Sequence, residues 1–263
     1  MKKFRPTAAK LLPLGTILFF LLLWEFLVRV SHTPVWILPA PSQVIISFGK
    51  IGPVLLSHTL VTLMESLLGF GLSIIIAFIL ALLLDSFYGL RSALYPLIIF
   101  SQTVPLIVLT ILFVIWFGFG ILPKILVVIL VCFFPVLISL MNGLEAVDND
   151  QILLFKSMGA KPGAIIRMVK IPAALPSFFS GLRISATYSI MGAIVAEWMG
   201  AAKGLGYFMT LAQKGFKVDQ VLAIVVVICL LSFGLVKAVD LLEYLLVPWN
   251  RKPARTAIEE ASV

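Results

Sequence analysis

Residues 153–176 read LLFKSMGAKPGAIIRMVKIPAALP, a stretch with Lys156, Lys161, Arg167 and Lys170, two glycines, three prolines and no carboxylate, in a chain that is otherwise apolar. Just upstream, Asp148, Asn149 and Asp150 supply capping side chains for a helix starting near Gln151 and place carboxylates at the positive end of its dipole. Gly159 suits the left-handed position that ends such a helix, and Lys156 falls in its last turn, where a cation is favoured. Pro162 fits the first turn of a second helix reaching about Lys170, Pro172 is expected to stop it, and Pro176 to open the next segment. The pattern is helix, glycine turn, helix, proline stop. Each helix is only about two turns long and marginal in water, so the stretch must pack against something. Its own bundle, anionic headgroups or a soluble partner would each serve.

Composition sets the surroundings. Of 263 residues 61% are hydrophobic and 12% charged, against about 45–50% apolar in soluble domains. The chain reads as an all-α, polytopic membrane protein. A net charge of +8 would suggest nucleic acid in a soluble chain, but these cations lie mostly between apolar runs, where they set topology. Cys132 and Cys229 sit inside apolar runs with no second ligand at metal spacing, so they read as inert thiols and no metal site is expected. The N-terminal apolar run follows a basic stretch but lacks a small-x-small cleavage site, which makes it an uncleaved first span.

Six spans are expected, at about 11–30, 57–84, 93–116, 122–141, 177–199 and 219–242, each able to cross about 30 Å of hydrocarbon. Six crossings put both termini on one side. Arg29, Lys50, Lys124, Lys203, Lys214 and Lys217 fall on the opposite side and Lys237 within the last span, leaving 13 of the 20 Lys and Arg on the side of the termini. That bias assigns the termini (residues 1–10 and a disordered 251–263) and the insert 142–176 to the cytoplasm. Between the first two spans, Pro34, Pro39 and Pro41 forbid a continuous helix, and Ser42 is a cap for a short interfacial helix to about residue 51.

Pro105 in the third span removes a helical hydrogen bond, so a kink is expected near Gln102 and Thr103, serving either packing or a substrate path. Ser185, Thr187, Ser189 and Gly192 of the fifth span are further path candidates, though small residues equally serve close packing. Glu25 and Glu65 are either structural or path-lining. Glu197, beside Trp198, is either an interfacial carboxylate or part of an outer gate or binding-protein contact. Lys237 and Asp240, three apart, are expected to pair.

The insert resembles the cytoplasmic signature loop of bacterial ABC importer permeases, patterned E-A-A-x3-G-x9-I-x-L-P. Gly159 stands at the glycine, Val169 at the isoleucine, and Ile171-Pro172 at the closing apolar-proline pair, while Leu153-Leu154-Phe155 replace Glu-Ala-Ala. ILPAPSQV (37–44) and FFSGLRISATYSIMGAIVAEWMGAAKGLGYFM (178–209) are similar to permeases of the nitrate, sulfonate, taurine and thiamine-precursor branch, the binding-protein-dependent transport system inner membrane component family. The resemblance implies a six-helix permease of the bacterial plasma membrane that forms a dimeric pathway, binds two cytoplasmic ABC ATPase subunits and receives solute from an extracytoplasmic binding protein. It assigns ATPase coupling to Leu153, Leu154, Phe155, Lys156, Gly159, Ala160, Pro162, Arg167, Ile171 and Pro172. The implied cargo is a small polar or anionic solute: a pyrimidine thiamine precursor, a sulfonate or a nitrate-like ion. The chain has no G-x4-G-K-[ST] loop, so no cofactor and no catalytic residue are expected here and ATP belongs to the partner. A self-contained secondary transporter would show inverted repeats and ion-coupling residues near midplane. An intramembrane enzyme would need a motif that His32 and His58 do not supply.

Overall fold

The computed structural model describes residues 6–250, with side chains from Leu12 onward. The expected disordered tail and residues 1–5 lie outside the described residues. Ten α-helices follow one another: α1 (Pro6–Val30), α2 (Pro41–Ser86), α3 (Tyr88–Ser101), α4 (Leu106–Phe117), α5 (Ile121–Glu145), α6 (Asn149–Ser157), α7 (Pro162–Ile165), α8 (Ile171–Trp198), α9 (Leu205–Lys214) and α10 (Val218–Leu246). A π-helical turn, Ile166–Lys170, joins α7 to α8. Among the described residues, five helical segments are long and apolar enough to cross a membrane, and the pair α3–α4 makes a sixth if taken as one broken span.

The core is the antiparallel pair α5 and α8 with α2 laid against both, around Ala77, Ala81, Val128, Cys132, Val136, Leu140, Ala174, Ala186 and Ala193. Small residues stand at its closest approaches because lipid offers no hydrophobic drive for helix association, so backbones must approach closely to gain dispersion contacts. A methyl group at Gly143 would meet Ser177 Cβ at 2.8 Å and Ala174 Cα at 3.0 Å, and one at Gly181 would meet the Pro135 carbonyl oxygen and Ser139 Cβ, both at 2.7 Å. Glycine there is a requirement of distance. Most of the outer surfaces of α1, α4 and α10 expose Leu, Ile and Phe, as spans that face lipid do.

Three boundaries depart from the sequence expectation. The helix beginning at Pro41 does not stop near residue 51; it continues through Pro53 to Ser86. Its cap is Ala40 rather than Ser42, with Pro41 in the first turn and the Gln43 side chain accepting from the Ala40 N–H at 2.8 Å. Ser42 is occupied elsewhere, since its N–H and hydroxyl donate to Glu25 at 3.0 and 2.8 Å, which ties α1 to α2. The kink at Gln102 and Thr103 is a full break: α3 and α4 meet at 98° around Pro105.

Pro172 supplies the third departure. It does not stop the chain, because the Ile171 N–H reaches back five residues to the Ile166 carbonyl and the π turn absorbs the register change before α8 begins. Pro172 then occupies the first turn of α8, where a missing N–H costs little. Pro176 lies inside α8 rather than opening it, so helical structure runs from Pro162 to Trp198 with this one irregular turn.

Gly181→Leu is expected to abolish monodisperse protein in detergent on size exclusion, because the new side chain must displace the α5 backbone. Gly71→Leu, at a position where an added Cβ meets nothing within 4 Å, is expected to elute as the parent does.

Candidate functional site

At one end of the bundle the chain leaves α5 at Glu145, builds a small knob and returns as α8. Asp148 caps α6, its Oδ1 accepting from the Asp150 N–H at 2.9 Å. The helix closes with a Schellman motif: the Gly159 N–H donates to the Lys156 carbonyl at 2.9 Å and the Ala160 N–H to the Phe155 carbonyl at 3.0 Å. Gly159 has φ +80°, and an added Cβ would touch nothing there, so the demand for glycine is conformational and not steric.

The knob has its own core of Val147, Ile165 and Val169, against which Ile152, Phe155 and Ala160 pack. Phe155 is thereby turned inward, away from its two neighbours. Leu153 and Leu154 are 57% and 58% exposed, Met158 and Met168 more so, with Lys156, Lys161 and Arg167 also exposed around them. The knob therefore offers an apolar surface ringed by cations at an end of the molecule where the chain leaves the bundle.

Ion pairs fix the knob to the bundle. Lys170 Nζ lies 2.8 Å from both carboxylate oxygens of Asp85 at the end of α2, and Arg91 of α3 pairs with Glu145 at the end of α5. Lys170 thus turns inward to Asp85 while Arg167 stays exposed. The ten coupling candidates, Leu153 to Pro172, are all brought together in the knob and the first turn of α8.

The six path candidates are not brought together. Gln102 and Thr103 stand at the α3–α4 break, and Thr187 is exposed on α8. Ser185 and Ser189 are fully buried, the former donating to the Cys132 carbonyl at 2.8 Å and the latter to the Ala186 carbonyl at 2.9 Å; Gly192 faces Val128 and Val131. Their small size serves helix packing. Glu197 is buried within the protein. It is 1% accessible, with Oε1 accepting from Thr62 Oγ1 at 2.6 Å and Oε2 from the Gly206 N–H at 2.5 Å.

Around Glu197 the far end is held by a polar clasp. Thr62 also accepts from the Leu205 N–H at 2.8 Å, and His58 Nδ1 from the Gly204 N–H at 3.0 Å, so α2 holds the start of α9 by its backbone donors. Beside them Lys124 Nζ donates to Glu65 Oε1 at 2.7 Å, both side chains being buried. Sequence reading counted Lys124 as an outer cation and missed His58, Thr62 and this pair; the i, i+4 spacing of His58 and Thr62 on one helix face was the available signal. Lys237 and Asp240 pair at 2.9 Å as their spacing suggests, and Arg183 joins Asp240 and Glu243 to link α8 with α10. No group of three His, Cys, Asp or Glu side chains able to hold a metal occurs among the described residues.

A profile described as "Binding-protein-dependent transport system inner membrane component" matches residues 69–252. The chain belongs to that family. It is an ABC transporter permease, a multi-pass inner-membrane protein of a family of transport permeases, not of enzymes. The permease is 36% identical over 239 residues to the formylaminopyrimidine transport permease protein ThiX of Halalkalibacterium halodurans, covering 89% of this chain and 95% of that one. It is 33% identical over 237 residues to the riboflavin transport system permease protein RibX of Chloroflexus aurantiacus, covering 89% and 88%. Its fold is that of the permease in a crystal structure of an amino acid ABC transporter, with TM-score 0.63 over 76% of this chain and 98% of the other at 19% identity.

Lys124→Met leaves the Glu65 carboxylate buried without its cation, a loss of about 3–5 kcal/mol for pairs of this kind, and is expected to lower the detergent Tm by roughly 10 °C. The double variant Glu65→Leu/Lys124→Met is expected to recover most of that loss, measured by thermal unfolding of the two purified proteins side by side.

Proposed function

We propose that this permease is the membrane pathway of an importer for a small nitrogen heterocycle, that it works as a homodimer, and that the knob of α6 and α7 docks into a cytoplasmic ATPase. The observation that carries the docking is the division of labour within residues 153–155. Phe155 closes the knob's core while Leu153 and Leu154, with Met158, are left exposed. An isolated knob gains nothing from apolar side chains in water, whereas an apolar groove on a partner would bury them at about 25 cal/mol per Å². The surrounding Lys156, Lys161 and Arg167 support a cytoplasmic position for this end by the positive-inside rule and would suit a partner groove with an acidic rim.

In this reading the far end, with α9 and the polar clasp, faces the extracytoplasmic binding protein. The chain performs no catalysis and holds no cofactor; ATP is bound and hydrolysed by the partner. Closure of two ATPases around nucleotide pulls the knob, and the continuous helical path from Pro162 to Trp198 carries that displacement the length of the membrane. The names of the two relatives described above favour a heterocyclic cargo over a sulfonate or nitrate-like ion.

Capture of the ATPase by affinity-tagged permease tests the docking. Gly159→Val forces a β-branched residue to φ +80° and is expected to reduce capture at least about tenfold, as the strain exceeds ~1 kcal/mol and the knob loses its closing turn. Leu153→Asp/Leu154→Asp is expected to do the same with the permease itself still monodisperse. Undiminished capture by both variants overturns the docking surface.

A further inference from the structure

The break between α3 and α4 opens onto a cleft of about 240 Å³ that Gln102 and Leu109 share with Val131, Phe134 and Pro135 of α5 and Tyr188 of α8. Gln102 and Tyr188, both exposed, line it together with the backbone of Val131. The Gln102 carboxamide and the Tyr188 hydroxyl each lack a hydrogen-bond partner among the described residues. Pro135 has no N–H, so the Val131 carbonyl four residues earlier loses its helical donor on the strip of α5 that lines the cleft. Polar groups at membrane depth are tolerated only where protein, water or a ligand meets them.

We propose that this cleft is a transit site for a single-ring nitrogen heterocycle, with Tyr188 stacking on the ring and Gln102 pairing with its edge. The inference rests on the permease reading and narrows its cargo. Size favours the class: at about 240 Å³ the cleft lies below the roughly 300–1,000 Å³ of pockets for drug-sized ligands and suits one substituted ring better than a fused three-ring system such as a flavin. Chemistry decides the orientation. An aminopyrimidine presents ring nitrogens as acceptors and an exocyclic amine as donor, and the cleft answers with the carboxamide N–H₂ of Gln102 for the first and its carbonyl oxygen or that of Val131 for the second. Leu109, Val131 and Phe134 cover the remaining ring face with apolar surface. A sulfonate would find no cation in the cleft, since no Lys or Arg lines it.

The test is ATP-dependent uptake by proteoliposomes holding the permease with its ATPase and binding protein, using radiolabelled formylaminopyrimidine, riboflavin and taurine as probes. Wild type is expected to accumulate the pyrimidine; Tyr188→Ala and Gln102→Leu are expected to lose about tenfold of that uptake, and Tyr188→Phe to keep most of it, in line with stacking as the main contribution. Monodispersity and ATPase capture by each variant serve as the folding controls. Uptake unchanged in both Tyr188→Ala and Gln102→Leu overturns the site, as does their dissociation into monomers, which would give the cleft to a second copy of the chain. Wild-type complex that captures its ATPase but imports riboflavin or taurine and no pyrimidine overturns the site while leaving the permease reading in place. Failure to capture any ATPase counts against the docking reading itself.

Discussion

The approach of α5 to α8 at Gly143 and Gly181 is the constraint on which the other features depend. In lipid the hydrophobic effect does not press helices together, so the association of two spans is secured by contact distance. With glycine at both crossings the backbones come close enough for Ala174, Ser177 and Ser139 to interlock, and the pair runs in register from the knob to the clasp. The knob is the connection between the two helices of that pair and is tied to α2 through Lys170 and Asp85. A side chain larger than hydrogen at either glycine would push the two helices apart.

Polar groups do a second task, which is to fix where this pair sits against α2. Lys170 with Asp85 holds the knob end, and Lys124 with Glu65 and Glu197 with Thr62 hold the far end. Each contact is short and largely shielded, and each joins residues far apart in sequence. Such pairs add little net stability over apolar packing, yet removing one partner is costly, so they specify the arrangement of the helices. α3, α4 and α10 have no comparable buried polar contacts with the pair; the ion pairs Arg91–Glu145 and Arg183–Glu243 that touch them are partly open to solvent. The cleft at the α3–α4 break lies on this less constrained side.

Much of the architecture was legible from local chemistry. Asp148 as a cap, Gly159 as a left-handed helix end, the break at Gln102 and Thr103 and the Lys237–Asp240 pair each follow from residues within a few positions of one another. What escaped reading depends on distance or on register. Pro172 was expected to stop a helix because proline rejects the interior; the π turn moved it into a first turn, and no pattern in the sequence announces that shift. Lys124 and Glu197 looked like outer-surface charges because their partners lie 59 and 135 positions away. Ser185 and Ser189 could be read as path-lining or as packing residues, since size and polarity are the same for a serine that packs and one that lines a channel. Phe155 stands beside Leu153 and Leu154 but points inward, which the helical phase of so short a segment does not decide.

The central claim is that α5, the knob and α8 move as one body when the partner ATPase closes. Its most direct test is the distance between spin labels at Met158 on the knob and Met191 near the far end of α8, both exposed, in the assembled complex with and without nucleotide. Cys229 is first replaced by Ser, because it is the exposed cysteine of the described residues, and labelled protein is diluted with unlabelled copies. The Met158–Met191 distance should stay constant between the two states while that from Met158 to Ile115 on α4 changes by several ångströms. A Met158–Met191 distance that shifts as much as the distance to α4 would contradict a rigid lever and place the flexing at the π turn.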